Sequence, residues 1–308
     1  MSSSSTPSST PSPPRGATSI NRPGGPAPRP LWRSYLAILV PMILTNVLQA
    51  ASGTIDGIWL GQMLGVDAVG AVSAFFPVLF LALALVIGLA SGAAVLIGQA
   101  WGAGDRARVR HIAATAVAML VVFSLVLSLA GRLAAPRLMW TLGTPPSILP
   151  AAGDYAAVMM AGSPAIFLLW LATAMSRGVG DAVTPLKAFA VAGSVSLVAT
   201  PALITGWGGL PRCGVVSAAL SAIGGSLAAL AWMAWHWHRT GHPLAPAWPR
   251  RLGFDTHLAR RILAIGLPTA LQMATMAVAE IVVLGIVNRH GPGATAIYGA
   301  INQVLSWV

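Results

Sequence analysis

Beyond residue 30 the chain is built of long apolar blocks separated by short polar breaks. The blocks lie at about 34–60, 70–99, 111–131, 155–176, 186–206, 213–236 and 262–287, and another opens at about 294. A hydrocarbon layer about 30 Å thick is crossed by about 20 apolar residues in a helix. The pattern therefore predicts seven membrane-spanning helices and the start of an eighth. An outer-membrane barrel would show alternating segments of about 10 residues, which these blocks do not. Gly102-Ala103-Gly104-Asp105, Pro145-Pro146 and Gly206-Trp207-Gly208-Gly209 read as turns, and His238 to Arg261 as a longer basic loop.

Residues 1–30 are Ser, Pro, Thr, Gly and Arg with almost nothing apolar. Such a segment cannot bury enough surface to offset its chain entropy, so a disordered tail is expected. It has no apolar stretch of the kind a signal peptide needs. The expected organisation is an all-α polytopic membrane protein. A tail over 1–30 leads into a six-helix lobe over 31–238 and a loop over 239–261, and 262–308 opens a second, incomplete lobe.

Composition agrees. Of 308 residues, 56% are hydrophobic and 8% charged, against roughly 25% charged in soluble domains. A net charge of +11 in a soluble chain would point to nucleic acid. Here the arginines sit in short loops and no basic face with interleaved aromatics exists, so nucleic acid is not an expected partner. The basic residues also orient the chain. Fourteen fall on one side: Arg15, Arg22, Arg29 and Arg33, then Arg106, Arg108 and Arg110, Arg177 and Lys187, and Arg239, Arg250, Arg251, Arg260 and Arg261. The other side has Arg132, Arg137, Arg212 and Arg289. The expectation is a cytoplasmic N-terminus in the inner membrane.

The single Cys213 allows neither an internal disulfide nor a thiolate cluster. Trp232, Trp235 and Trp237 are expected in the interfacial aromatic belt. His236, His238 and His242 beside them have no carboxylate or Cys partner in sequence, so no metal site is expected.

An internal repeat organises the rest. A shift of 227 residues lays Arg33, Leu36, Ala37, Ile38, Pro41, Leu44 and Ala50 on Arg260, Leu263, Ala264, Ile265, Pro268, Leu271 and Ala277. After a one-residue gap Gly65, Ala68, Ala74, Val78 and Leu79 meet Gly291, Ala294, Ala300, Val304 and Leu305. Six helices separate the copies, an even number, so both first helices point the same way. Parallel repeats of this kind relate the halves of some secondary transporters. A second copy of similar length would run to about residue 490, so a fragmentary protein is expected.

In the first helix Thr45, Gln49, Ser52 and Asp56 are spaced by four, three and four, which puts them on one stripe, with Asn46 and Gly53 beside it. A carboxylate inside a span costs about 2.5–3.5 kcal/mol on insertion scales and marks function by default. Asp56 is the candidate for exchanging a proton for Na⁺ or for a cationic drug. The only glutamate, Glu280, lies in the middle of the seventh helix with Thr269, Met273 and Met276 on its face. Methionine gives an adaptable lining suited to mixed substrates. Gly57, Gly61 and Gly65, and Gly88 and Gly92, have small-xxx-small spacing for close helix approach. Asp105 and Asp181 occupy turns near Arg106 and Arg177, where capping or ion pairing is expected. Phosphate loop, nucleophile elbow and zinc motif are all lacking, so no enzyme and no cofactor is expected, and an ion gradient, H⁺ or Na⁺, is the simplest remaining energy source.

These stretches resemble the MATE (multidrug and toxic compound extrusion) family. Pro41 through Asp56 to Gly61 and Gly65 resembles its first helix, where an acid near the outer end is linked to cation coupling. Gly98-Gln99-Ala100-Trp101-Gly102-Ala103-Gly104-Asp105 resembles the turn after helix two. Arg177-Gly178-Val179-Gly180-Asp181 with Thr184-Pro185 is similar to the loop after helix four. Ile265-Gly266-Leu267-Pro268 and Asn288-Arg289-His290-Gly291 look like the opening of the second lobe. Archaeal-type proton-coupled members carry an Asn and an Asp just before a Pro in helix five, and Ser196 and Thr200 stand there ahead of Pro201. The resemblance implies a twelve-helix, two-lobed exporter of amphipathic organic cations. Two alternatives stay open: a flippase for lipid-linked sugars, or a non-transporting scaffold or inactive fragment. Oligomeric state is not legible.

Overall fold

A backbone in hydrocarbon must satisfy its own hydrogen bonds, so long apolar blocks have little choice but helix. The computed structural model describes residues 31–209, 211–245 and 255–305. It contains eight helices in that range: α1 (Leu31–Leu64), α2 (Val66–Gly102), α3 (Arg106–Thr141), α4 (Leu149–Gly178), α5 (Val183–Thr205), α6 (Val216–Thr240), α7 (Thr256–Val287) and α8 (Pro292–Leu305). Seven of them, α1 to α7, are long and apolar enough to cross a membrane. Tail residues 1–30 and residues 246–254 of the basic loop lie outside the described residues.

Most helices outrun the apolar blocks that predicted them, although α6 starts three residues inside its block. α3 starts five residues before its block because Asp105 caps it, accepting from the Arg108 amide at 2.9 Å. It then continues through Arg132 and Arg137 to Thr141. A helix continues beyond the hydrocarbon edge as long as its own hydrogen bonds are intact. Six helices contain an internal proline, namely Pro41, Pro77, Pro136, Pro164, Pro201 and Pro268, while α6 has none.

α2 is the central element. It packs on α1, α3, α4, α7 and α8. One apolar cluster joins Leu96, Ile97, Ile112, Phe167, Leu171, Met233 and Ile262. A second joins Phe75, Met139, Ile148, Tyr155 and Met159, with the Phe75 and Tyr155 rings edge to face at 5.8 Å.

The α2–α7 seam is made by glycine. A Cβ on Gly88 would meet the Gly266 carbonyl at 2.7 Å, and one on Gly92 would meet the Ile262 carbonyl. This is the close approach expected of the Gly88–Gly92 stripe. The Gly57–Gly61–Gly65 stripe behaves differently. Gly57 has nothing within 4 Å of a Cβ, and Gly61 has only Val69 at 3.5 Å. Gly65 is a turn residue at φ +87°, ψ −178°.

Its repeat mate Gly291 has φ +95°, ψ +174°. This region of backbone space is essentially closed to any residue with a Cβ. The repeat seen in sequence thus recurs as one joint, built twice, between α1 and α2 and between α7 and α8. Gly65→Ala and Gly291→Ala are each expected to cost about 1–3 kcal/mol, read as a lower melting temperature in detergent.

The tryptophans divide. Trp235 is exposed, with Arg239 over its ring at 4.7 Å. Trp237 is buried at 7% exposure and stacks on His242 at 5.5 Å. It belongs to the core, not to the belt.

Candidate functional site

The polar stripe of α1 faces α5. Thr45 is buried, and its Oγ1 donates to the Pro41 carbonyl at 2.7 Å. Ser52 Oγ donates to the Leu48 carbonyl at 2.9 Å, and Gln49 Nε2 to the Thr45 carbonyl at 3.4 Å. These three satisfy their own helix. Ser52 also seats against Gly193 of α5, where its Oγ lies 2.7 Å from the place a Cβ would take. Asn46 is exposed, away from the stripe.

Asp56 is different because its donors come from another helix. Ser196 Oγ donates to both carboxylate oxygens, at 3.2 and 3.1 Å. Thr200 Oγ1 donates to Oδ1 at 3.0 Å. Ser196 and Thr200 are four residues apart, hence on one face of α5. Behind them Ser221 of α6 contacts Thr200, oxygen to oxygen at 2.7 Å. One carboxylate therefore ties α1 to α5 and, through a hydroxyl, to α6. Tyr155, in the apolar cluster, lies within electrostatic reach of it.

Among the described residues no cationic side chain pairs with Asp56. Neutral hydroxyls leave its charge uncompensated, and such a charge inside a span normally finds a partner. The carboxylate borders a groove of about 170 Å³ between α1 and α5, lined by Leu48, Ala51, Ser52, Ile55, Gly193 and Leu197 among others. Hard cations are held by carboxylate and other oxygen ligands, which Asp56, Ser196 and Thr200 supply. The arrangement gathers one carboxylate and two hydroxyls, all oxygen donors of the kind a proton or small cation takes, where α1 meets α5 and, through Ser221, α6.

Glu280 sits elsewhere. It is half-buried on α7 and accepts from Asn302 Nδ2 of α8 at 3.0 Å. Thr269 and Met273 are half-buried on its stripe, whereas Met276 is 57% exposed. No hydrogen bond joins Glu280 to Asp56. Ser221, which contacts Thr200, and Asn302, which donates to Glu280, are neighbours of the candidate acids that sequence reasoning missed. Two adjacent amides, Asn302 and Gln303, in an otherwise apolar helix were the available signal for the second.

The face that carries most of the arginines has two matching caps. Asp181 accepts from the amides of Val183 and Thr184 at 3.1 and 3.0 Å and pairs with His242 at 3.5 Å. Burial pushes its carboxyl up, but the bonds from His242 and Thr184 outweigh that and hold it well below the usual range. Asp255 caps α7 at the amides of His257 and Leu258 and pairs with His111 at 3.3 Å. The Leu258 amide is the main cause that keeps it low. Capping was expected of Asp105 and Asp181. The ion-pair partner of Asp181 is His242, because Arg177 turns back to the Thr173 carbonyl and hydroxyl at 3.3 and 3.4 Å.

The family model described as MatE matches residues 41–201. The chain is 34% identical over 280 residues to "Probable multidrug resistance protein YoeA" of Bacillus subtilis, an alignment covering 90% of this chain and 60% of that protein. It is 25% identical to the "FAD transporter" of Shewanella oneidensis, covering 88% and 60%. The chain thus spans about 60% of the length of these relatives. In fold it is similar to the solved structure of the MATE multidrug transporter DinF-BH, with TM-score 0.83 at 16% identity, covering 89% and 61%.

Proposed function

Because this chain belongs to the MatE family of multidrug efflux transporters, we propose that it takes part in exporting amphipathic organic cations in exchange for H⁺ or Na⁺. Asp56 is the coupling acid, and Glu280 is the acid that receives cargo. In this reading the chain lies in the inner membrane with its arginine-rich face in the cytoplasm.

The observation that carries the reading is the setting of Asp56. It is held by three hydroxyl bonds from Ser196 and Thr200 with no cationic side chain on it. A carboxylate so placed has one unmet need, a mobile cation, and a proton or Na⁺ meets it equally well in charge. Releasing that cation loosens or tightens α1 against α5 and α6. A ligand shifts a conformational equilibrium only through contacts that differ between the states, and these hydroxyl bonds are such contacts.

Acidic side chains favour cationic cargo. A flippase for lipid-linked pyrophosphate would need cationic groups lining the cavity, and the candidates found here are carboxylates. The cargo named for the Shewanella relative, FAD, is anionic too, and the same argument disfavours it here.

The test is transport in reconstituted vesicles with an imposed Na⁺ or H⁺ gradient and no ATP. Ethidium is expected to move against its own gradient under one of the two. No movement under either gradient would overturn the reading. Movement of FAD with ethidium left behind would overturn the cargo assignment and keep the coupling.

A further inference from the structure

α1 is held from two sides, and the second side belongs to α8. Neighbouring helical residues point about 100° apart, so Asn302 and Gln303 reach different helices. Asn302 Nδ2 donates to Glu280 Oε1 at 3.0 Å. Gln303 Nε2 donates to the Ala50 carbonyl at 3.1 Å and to Thr54 Oγ1 at 3.2 Å. Thr54 Oγ1 itself donates to the Ala50 carbonyl at 2.9 Å, which closes a three-way knot. The lack of a side chain at Gly53 makes room, since the Gln303 amide lies 3.1 Å from where a Cβ would be. The knot sits on the turn of α1 that leads into Asp56.

We propose that Asn302 and Gln303 are positioning residues that couple Glu280 to Asp56, so that cargo at one acid changes the hold on the helix bearing the other. This rests on the reading that Glu280 receives cargo and Asp56 the coupling ion. An organic cation at Glu280 competes with the Asn302 amide for Oε1. Freed there, Asn302 moves with the α8 backbone, and Gln303 moves with it. The Ala50–Thr54 turn of α1 then loses a donor within one turn of Asp56. Coupling of this kind is reciprocal by necessity, so an ion at Asp56 alters the grip on cargo to the same extent.

Hydrogen exchange on the chain in lipid nanodiscs tests the coupling without any transport. Glu280→Ala and Gln303→Met are each expected to speed amide exchange in residues 50–56 by about fivefold, the low end of allosteric coupling. The double variant should be no faster than either single one. Glu280→Gln retains an acceptor for Asn302 and should restore the wild-type rate. A purely local role for Gln303 predicts otherwise: Gln303→Met raises exchange while Glu280→Ala leaves α1 unchanged, and that result overturns the proposal. Additive effects in the double variant overturn it as well.

Ethidium affinity, compared in sodium and choline salts and at two pH values, is the second readout. The wild-type affinity should shift about fivefold with the coupling ion, and Gln303→Met should abolish that shift without changing the affinity in the ion-free condition. Should the wild type bind no ethidium, the cargo reading fails while the exchange result still decides the coupling.

Discussion

Asp56→Asn is expected to reduce gradient-driven dye efflux to the leak rate while leaving insertion and folding intact. Asparagine has nearly the same shape as aspartate. Its carbonyl can accept from Thr200, and its amide can donate to the Ser196 oxygen, so the α1–α5 contact survives. What disappears is the charge. Exchanging one ion for one monovalent dye moves no net charge, so the drive is the ion's concentration gradient. A hundredfold gradient, about 2.8 kcal/mol at about 1.4 kcal/mol per tenfold, sustains a dye ratio of up to roughly a hundredfold. Without a carboxylate to hold the ion, that ratio falls to one. Vesicle efflux measures this, and size-exclusion behaviour checks the fold. Asp154→Asn, on an exposed position of α4, is the control and should transport normally. Wild-type efflux from Asp56→Asn would remove Asp56 from the mechanism.

Gly266→Ala should be among the most damaging single-methyl additions in the chain. The new Cβ would meet the Gly88 carbonyl and lie 2.8 Å from the Gly88 carbonyl carbon and 3.3 Å from the Leu89 amide nitrogen. These are backbone atoms in the middle of α2 and cannot turn aside as a side-chain tip would. Overpacking a close seam typically costs about 1–3 kcal/mol, and a backbone clash puts this case near 3. At about 2–4 °C per kcal/mol, the melting temperature in detergent should fall by roughly 6–12 °C. Gly57→Ala provides the opposite sign. With open space around the Cβ and a gain in helix propensity of up to about 1 kcal/mol, it should be neutral or stabilising. Equal melting temperatures for the two variants would show that the seam is not close-packed.

Spans and repeat were legible because hydrophobic length and periodicity are local properties of the chain. Helix ends were less so. Apolar blocks mark where hydrocarbon ends, whereas α3 ends where its hydrogen bonding does, ten residues later. The glycine stripes show the same limit. Spacing says that a helix face is bare, but only the fold says whether a neighbour occupies it, as α7 does at Gly92 and nothing does at Gly57. Asp56 was visible as a lone acid in an apolar span. Its partners lie 140 and 144 residues away in sequence, and Ser196 and Thr200 were found only through the family resemblance. Ser221 and Gln303 had no such guide. A hydroxyl in an apolar helix usually serves its own backbone, as Thr45 and Ser52 do, and sequence does not separate the exceptions.

The internal prolines have a mechanical consequence. Each removes one hydrogen bond from the ladder of its helix and clashes with a carbonyl one turn back, which lowers the cost of bending there. Pro41 and Pro268 occupy matching places in the repeat, so the helices bearing the two candidate acids yield at the same height. α6, with no proline, keeps every rung between Val216 and Thr240. Bending is therefore expected first at the Pro41 and Pro268 turns, while α6 acts as an unbroken splint along α4 and α5.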